Sequence, residues 1–290
     1  MLRRSSLMIS ILLLLSCEPQ DKDWVKPDTI SLGCEDYQSI PVGQAILYNN
    51  VWNKNAAGDF DWRQCLEQKP GTDSSIYGWS WHWPNESDKI FGYPQIKKGS
   101  SPWDPLPKID DRFPAAIRHL DSLIISHELE ISAQGQHNVA TSMWLTSSPD
   151  IGDKPNPSII TAEIMVWTFA TAKHLDPAGR NIGVIEQDGK KWSVWLDRDW
   201  SDASGQNDNK WIYLTFKAEE STLANRYDIV RLLKNELLSD LDLGNHFIAD
   251  IELGTEIMRG SGLVWVKNFE VEMERTLVAD ESDRTLANTR

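Results

Sequence analysis

Two glutamates stand out from the chain's 43 acidic residues as groups that could do chemistry. In Ala162-Glu163-Ile164-Met165-Val166-Trp167, alternation puts Glu163, Met165 and Trp167 on one face of a strand. Ala162, Ile164 and Val166 take the other face, which suits a core. A carboxylate between apolar residues in mid-strand is costly unless its face is a cleft. Glu256 lies in Gly254-Thr255-Glu256, with Gly260-Ser261-Gly262 just beyond. Glycines near a strand acid allow a bulge or a close approach of backbone to a ligand. Two carboxylates with split proton affinities can act as nucleophile and general acid/base. Spacing alone does not single these two out. Most strand acids are solvated, and Glu128, Glu130, Glu252, Glu270, Glu272 and Glu274 read that way.

Other chemistries lack their residues. The histidines at 82, 119, 127, 137, 174 and 246 have no metal-ligand spacing, and no cysteine is placed with them. The chain has no phosphate-cradling glycine loop, dinucleotide fingerprint or Gly-x-Ser-x-Gly elbow. No metal and no cofactor is expected. Tryptophan is in surplus: 14 Trp against 6 Tyr and 7 Phe. Indole stacks on the apolar faces of sugars, and a polar groove satisfies their hydroxyls, so carboxylates with surplus Trp suggest sugar chemistry.

The elements that must position these groups read as strands. Alternating runs recur at Gln44–Trp52, Leu123–Ser132, Val139–Leu145, Ala162–Phe169, Lys191–Leu196, Trp211–Ala218, Phe247–Leu253 and Leu263–Met273. In Trp211–Ala218, Ile212, Leu214, Phe216 and Ala218 share one side. Turn-rich stretches such as 147–157 and 197–209 separate the runs. One helix is expected, capped by Asn225 with Asp228 three residues on, and striped by Ile229, Leu232, Leu233 and Leu237. Many strands and one helix argue an all-β sandwich.

The N-terminus reads as an address. Arg3 and Arg4 precede the apolar stretch Leu7–Leu15, a secretory signal too short to span a membrane. Leu14-Leu15-Ser16-Cys17 resembles a bacterial lipobox, in which Cys17 would carry the lipid. Residues 1–16 are thus read as a signal peptide, 17–30 as an acidic tether, 31–275 as one domain and 276–290 as a polar tail. The expected location is the outer membrane or cell surface, with the periplasmic face as the other choice. Lipid is the expected membrane contact, since no apolar run reaches about 18 residues. Cys34 and Cys65 remain, either as a disulfide in an oxidising compartment or as two buried thiols. Formal charge is −14, and residues 17–290 carry 27 bases against 43 acids. Such a surface repels nucleic acid and anionic lipid heads, so the expected partner is a neutral polymer met by a monomer.

At these residues the sequence resembles glycoside hydrolase family 12, the endo-β-1,4-glucanases and xyloglucanases, over roughly Cys34 to Met273. Asn49-Asn50-Val51-Trp52 matches an early Asn-Asn-x-Trp segment, and Cys34 and Cys65 bracket it as the family's disulfide does. Trp81-His82-Trp83-Pro84 and Tyr93-Pro94-Gln95-Ile96 match its Trp-x-Trp and Tyr-Pro segments. Glu163-Ile164-Met165-Val166-Trp167 matches the nucleophile strand, Pro177-x-Gly179 the following loop, and Gly254-Thr255-Glu256 the acid/base segment.

The resemblance implies a β-jelly-roll of two antiparallel sheets with a concave cleft. It implies endo-acting hydrolysis of a β-1,4-glucan with retention, Glu163 as nucleophile and Glu256 as acid/base. Retention would place the two carboxyl groups about 5–5.5 Å apart. Asn50, Trp52, Trp81, Asn138, Met165 and Trp167 would meet substrate, with Trp83 in the core. One departure stands out: Asn138-Val139-Ala140-Thr141-Ser142 carries Ser142 where many members have an Asp that contacts the nucleophile. A hydroxyl can hydrogen-bond Glu163 but cannot repel it or share a proton, so pH profile and turnover are expected to differ. A non-catalytic glycan-binding jelly roll and a related xylanase are the rival readings. The preferred glucan is left open.

Overall fold

The computed structural model describes residues 24–71, 76–105, 109–201 and 208–276. The signal segment, Cys17 and the tail beyond 276 lie outside the described residues.

Sixteen strands occur among the described residues. They are β1 (Ile30–Gly33), β2 (Ser39–Val42), β3 (Ala45–Tyr48), β4 (Arg63–Gln68), β5 (Tyr77–Trp83), β6 (Gln95–Gly99), β7 (Ala115–Ala116) and β8 (Leu120–Thr146). They continue with β9 (Ile160–Ala170), β10 (Arg180–Gln187), β11 (Lys190–Ser201), β12 (Lys210–Ala218), β13 (Ala224–Asp228), β14 (Phe247–Ile248), β15 (Asp250–Gly254) and β16 (Ile257–Arg275).

The two runs expected at 123–132 and 139–145 are one strand, β8, that serves two sheets. Its N-terminal part pairs with β16 and β13, and its C-terminal part with β9, β15 and β14. The first sheet runs β1-β4-β5-β16-β8-β13. The second runs β2-β3-β6-β15-β8-β9-β12-β11-β10. The changeover falls near Gly135, whose φ is 98° and where a Cβ would lie 2.2 Å from the Arg259 carbonyl oxygen. Only glycine fits a left-handed backbone pressed that closely on its neighbour. A strand that switches sheets in this way makes the corner of a sandwich.

Among the described residues, pairing is antiparallel with one exception: β9 and β12 run parallel. The chain reaches β12 from β9 through the β10–β11 hairpin, which returns it in the direction of β9. This corrects the expectation of purely antiparallel sheets.

The core lies between the sheets. Ala162, Ile164, Val166, Leu214 and Phe216 are all fully buried in one apolar cluster with Met143, Leu145 and Ile251. The alternation expected for β9 and β12 therefore holds. A second cluster carries Trp79, Trp81 and Trp83. Trp83 stacks between Trp62 at 4.4 Å and Phe91 at 4.9 Å, as expected for a core residue.

The helix is shorter and starts later than expected. It spans Ile229–Leu233, and its cap is Asp228, whose Oδ1 accepts the Val230 N–H. Asn225 instead lies inside β13, because pairing with β8 continues to Asp228. Leu237 falls in a separate 3-10 turn and is exposed. Ordered structure also begins inside the expected tether: β1 starts at Ile30, and Lys26 is ion-paired with the buried Glu67.

Cys34 and Cys65 form a disulfide that ties the chain before β2 to β4. It closes 31 residues of separation, which is worth about 3–4 kcal/mol in the chain-entropy model. The paired substitution Cys34→Ser with Cys65→Ser is expected to lower the urea midpoint accordingly. An unchanged midpoint would show that the loop is already ordered without the bridge.

Candidate active site

The face of the second sheet turned away from the core carries the chemistry-bearing residues. Cross-strand register arranges them in rows. Asp250 on β15 bonds the Trp144 N–H on β8, Trp144 stands opposite Glu163 on β9, and Glu163 stands opposite Tyr213 on β12. The next row reads Lys97, Glu252, Ser142, Met165 and Thr215. The third reads Gln95, Gly254, Ala140, Trp167 and Lys217. Tyr93, Ala140, Met165, Trp167 and Tyr213 pack together as the floor. Glu163 is half-buried on this floor between two aromatic neighbours.

Glu256 stands at the corner where the chain leaves β15 and enters β16 of the other sheet. Gly254 allows the approach: a Cβ there would lie 2.8 Å from both the Tyr93 ring and the Pro94 carbonyl oxygen. The Thr255 hydroxyl accepts the Trp79 indole N–H at 3.3 Å and anchors the turn to the core. Asn138 then holds Glu256 from three points. Its Oδ1 accepts the Glu256 N–H at 3.0 Å, its N–H donates to the Glu256 carbonyl at 3.1 Å, and its Nδ2 donates to the carboxylate Oε2.

Burial pushes the Glu256 carboxyl up to about 7, against the opposing pull of the Asn138 amide. A carboxyl poised near neutrality suits a group that must give a proton and take it back. Tyr213 stands opposite Glu163, the Tyr93 ring abuts Gly254 two residues before Glu256, and the two tyrosines share one cluster, which brings both glutamates to the same face. Burial keeps both phenols neutral, pushed well above their ordinary value. Tyr93 Oη lies 2.8 Å from the Ala140 carbonyl and 2.9 Å from that of Glu252, holding β8 and β15 in register beneath the site.

Several expected contacts fall elsewhere. Asn138 was expected to meet substrate, but it is wholly buried and its amide is engaged by Glu256. Trp81 is 2% exposed within the inter-sheet core, edge-on to His137, because its face of β5 is the inner one. It cannot stack a sugar there. Trp167 and Met165 do lie on the open face, yet they are 4% and 3% exposed. His174 packs edge-on against Trp167 and the Lys217 ammonium sits over its ring, so an open stacking platform is lacking at Trp167. Trp52 is the exposed one, at 36%. Asn50 Oδ1 accepts the Trp52 N–H at 3.2 Å, and the Asn50 carbonyl accepts from Gln64 and Tyr93. Asn50 therefore shapes the turn that presents Trp52.

Glu252 is not a solvated strand acid. It is buried beside Ser142, 3.5 Å from the fully buried Lys97, which also binds Asp104 at 3.0 Å. Burial pushes the Lys97 ammonium down, but Asp104, Glu252 and Asp250 outweigh it and leave it raised. Burial, and then the neighbouring Glu252 charge, push the carboxyl of the wholly buried Asp250 well up. Ser142 thus sits amid carboxyl groups from the next strand. Sequence spacing offered one usable signal for this network: Asp250 and Glu252 share the face of Gly254 at a period of two.

Comparison with known proteins agrees with this geometry. The family model described as glycosyl hydrolase family 12 matches residues 44–274. Endoglucanase S of Pectobacterium parmentieri is 25% identical over 232 residues, which cover 79% of this chain and 81% of that protein. A probable xyloglucan-specific endo-β-1,4-glucanase A of Aspergillus clavatus is 25% identical over 239 residues, 80% of this chain and 86% of its own. Among solved structures, the native family 12 xyloglucanase of Bacillus licheniformis superposes with a TM-score of 0.69 at 22% identity, covering 83% of this chain and 99% of that one. A family match spanning most of the chain, on a jelly-roll fold, assigns the protein: it belongs to glycosyl hydrolase family 12.

Proposed function

We propose that the protein is an endo-acting β-1,4-glucan hydrolase that works by double displacement with retention. The observation that carries the residue roles is the pairing of Glu163 on the cleft floor with Glu256, raised to about 7, on the same face. Glu163 attacks the anomeric carbon as the Glu256 proton passes to the leaving glycosidic oxygen, giving a covalent glycosyl-enzyme. Glu256, now ionised, takes a proton from water, which displaces Glu163 and frees the sugar. Asn138 holds Glu256 in place through both states. Trp52 offers an indole to the sugar chain at the cleft edge. The testing experiment is reducing-sugar release from xyloglucan, mixed-linkage glucan and carboxymethylcellulose. Shortening of at least one of them supports the reading. Binding with no release, unchanged in Glu163→Gln, sinks it in favour of a glycan-binding module.

We further propose that the chain is an exported lipoprotein held to a membrane through Cys17. The signal-like N-terminus and the Cys34–Cys65 disulfide, which needs an oxidising compartment, support this reading. Cells expressing the protein are expected to incorporate labelled palmitate into it, and Cys17→Ala to abolish the label and release the protein from the membrane fraction. Equal labelling of both forms would contradict the anchor.

A further inference from the structure

The cleft has a side wall that neither the reaction nor the substrate contacts above account for. After β6, the chain from Ser100 to Pro105 folds over the end of the open face. Two contacts pin it there: the Lys97–Asp104 ion pair, and the Asn156 N–H donating to the Pro102 carbonyl at 2.8 Å. The segment delivers Trp103 onto Trp144 and Trp211. The three indoles meet edge to face, with centroids 5.7 Å apart for Trp103–Trp144, 5.8 Å for Trp103–Trp211 and 5.7 Å for Trp144–Trp211. Edge-to-face packing on two partners fixes a large side chain at low cost in later ordering.

Position gives the wall its meaning. Trp144 is the direct cross-strand neighbour of Glu163. Trp144 borders Glu163 across the sheet, and Trp211, two residues before Tyr213 on β12, lies on the side away from Met165 and Trp167. A glucan backbone threaded between Glu163 and Glu256 leaves this side for whatever projects laterally from its sugar rings. Trp103 and Trp144 are half-buried, so each keeps ring surface in view. The indole N–H groups of Trp103 and Trp211 are buried and have no hydrogen-bond partner among the described residues. The surface on offer is carbon rather than donors, which suits the apolar face of a pyranose.

We propose that Trp103, braced by Trp144 and Trp211, is a specificity-determining residue that stacks a single-sugar branch carried on the backbone of a β-1,4-glucan. The proposal deepens the hydrolase reading and rests on it. Branched glucan gains this contact, and unbranched glucan passes the wall without touching it. The ion pair of Asp104 with Lys97 keeps the wall upright.

The test compares kinetics on xyloglucan and on unbranched mixed-linkage glucan for Trp103→Ala, Trp103→Phe and Trp52→Ala. For Trp103→Ala the KM on xyloglucan is expected to rise about tenfold, as for loss of one stacked aromatic, with kcat within twofold. Both parameters on mixed-linkage glucan stay within twofold. Trp103→Phe recovers most of the xyloglucan affinity, and Trp52→Ala loses affinity for both glucans. Equal loss on both substrates in Trp103→Ala, or no loss on either, overturns the proposal. Should Trp103→Ala fail to fold, Asp104→Asn must still shift xyloglucan more than mixed-linkage glucan, and an equal shift overturns it. If the unaltered protein cleaves no glucan, the hydrolase reading fails separately. Retardation in gels containing xyloglucan or mixed-linkage glucan then reads the wall by binding alone: selective loss of xyloglucan retardation in Trp103→Ala supports it, and unselective loss or none overturns it.

Discussion

Replacing Glu163 by glutamine is expected to lower kcat by about 10⁴-fold or more, with KM changed only a few-fold. The amide has nearly the shape of the carboxylate, so the neighbours Trp144, Tyr213 and Met165 keep their packing. What disappears is the nucleophile. Without it no glycosyl-enzyme forms, and water has no positioned base on that face of the sugar. Residual activity measures only binding and proton transfer. The companion measurement uses the unaltered protein with an activated 2-deoxy-2-fluoro cellooligosaccharide, in which deglycosylation is slow. Digestion and mass analysis should place the trapped sugar on the peptide holding Glu163. A Glu163→Gln form with more than about a hundredth of parental turnover, or a label on another residue, contradicts the assignment.

The second large effect belongs to Glu256. Activity is expected to fall as pH rises through about 7, because the general acid is lost as Glu256 ionises. Glu256→Gln should lose about 10²–10⁴-fold on polysaccharide. On an aryl cellobioside with a good leaving group the same variant should still form the glycosyl-enzyme, since that leaving group needs no proton. Turnover then waits on deglycosylation, and added azide should restore it. A variant impaired equally on both substrates and unaffected by azide contradicts the role.

The raised carboxyl also links pH to stability. Glu256 starts from an ordinary value of 4.5 and reaches about 7 when folded. Below about 4.5 it is protonated in both folded and unfolded chains and contributes no difference. Between about 4.5 and 7 the unfolded chain ionises first, so the folded protein loses stability as pH rises. Above 7 the cost levels off near 3 kcal/mol at most, less whatever its partial exposure screens. Asp250, pushed up by burial and by Glu252, acts in the same direction. Glu256→Gln is thus expected to be more stable than its parent at pH 8 and equal to it at pH 4. Parallel urea-midpoint curves across that range would contradict the shift.

The strand alternation was legible because its period is local. Ala162, Ile164 and Val166 faced the core and Glu163 the open side, as six residues of sequence required. The corner at Gly254 was legible for the same reason, since glycine beside a strand acid signals close backbone approach. Depth was not legible. Trp81 and Trp52 look alike in sequence, and only packing puts Trp81 in the core and leaves Trp52 exposed. Partners far apart in the chain were hidden too. Asn138 and Glu256 meet across 118 residues, and that meeting turns an expected substrate contact into a support of Glu256. Glu252 reads as a solvated acid, but it is buried opposite Lys97 on β6, a partner more than 150 residues away in the chain. Trp103 carried no signal, since a loop held by Asp104 brings it to the cleft.

Ser142 bears on turnover more than on identity. It lies between Glu252 and Met165, without the acid that resemblance leads one to expect at that place. Asp250 and the ion-paired Glu252 lie on β15, which β8 separates from the Glu163 strand. The charged groups nearest Ser142 therefore come from β15 and β6.

The most direct measurement is the anomeric form of the first product. Proton NMR during the opening minutes of glucan cleavage, before mutarotation, should show the β-anomer at the new reducing end. Double displacement through Glu163 requires it. An α-anomer appearing first would mean single displacement by water, and Glu163 could not be the nucleophile.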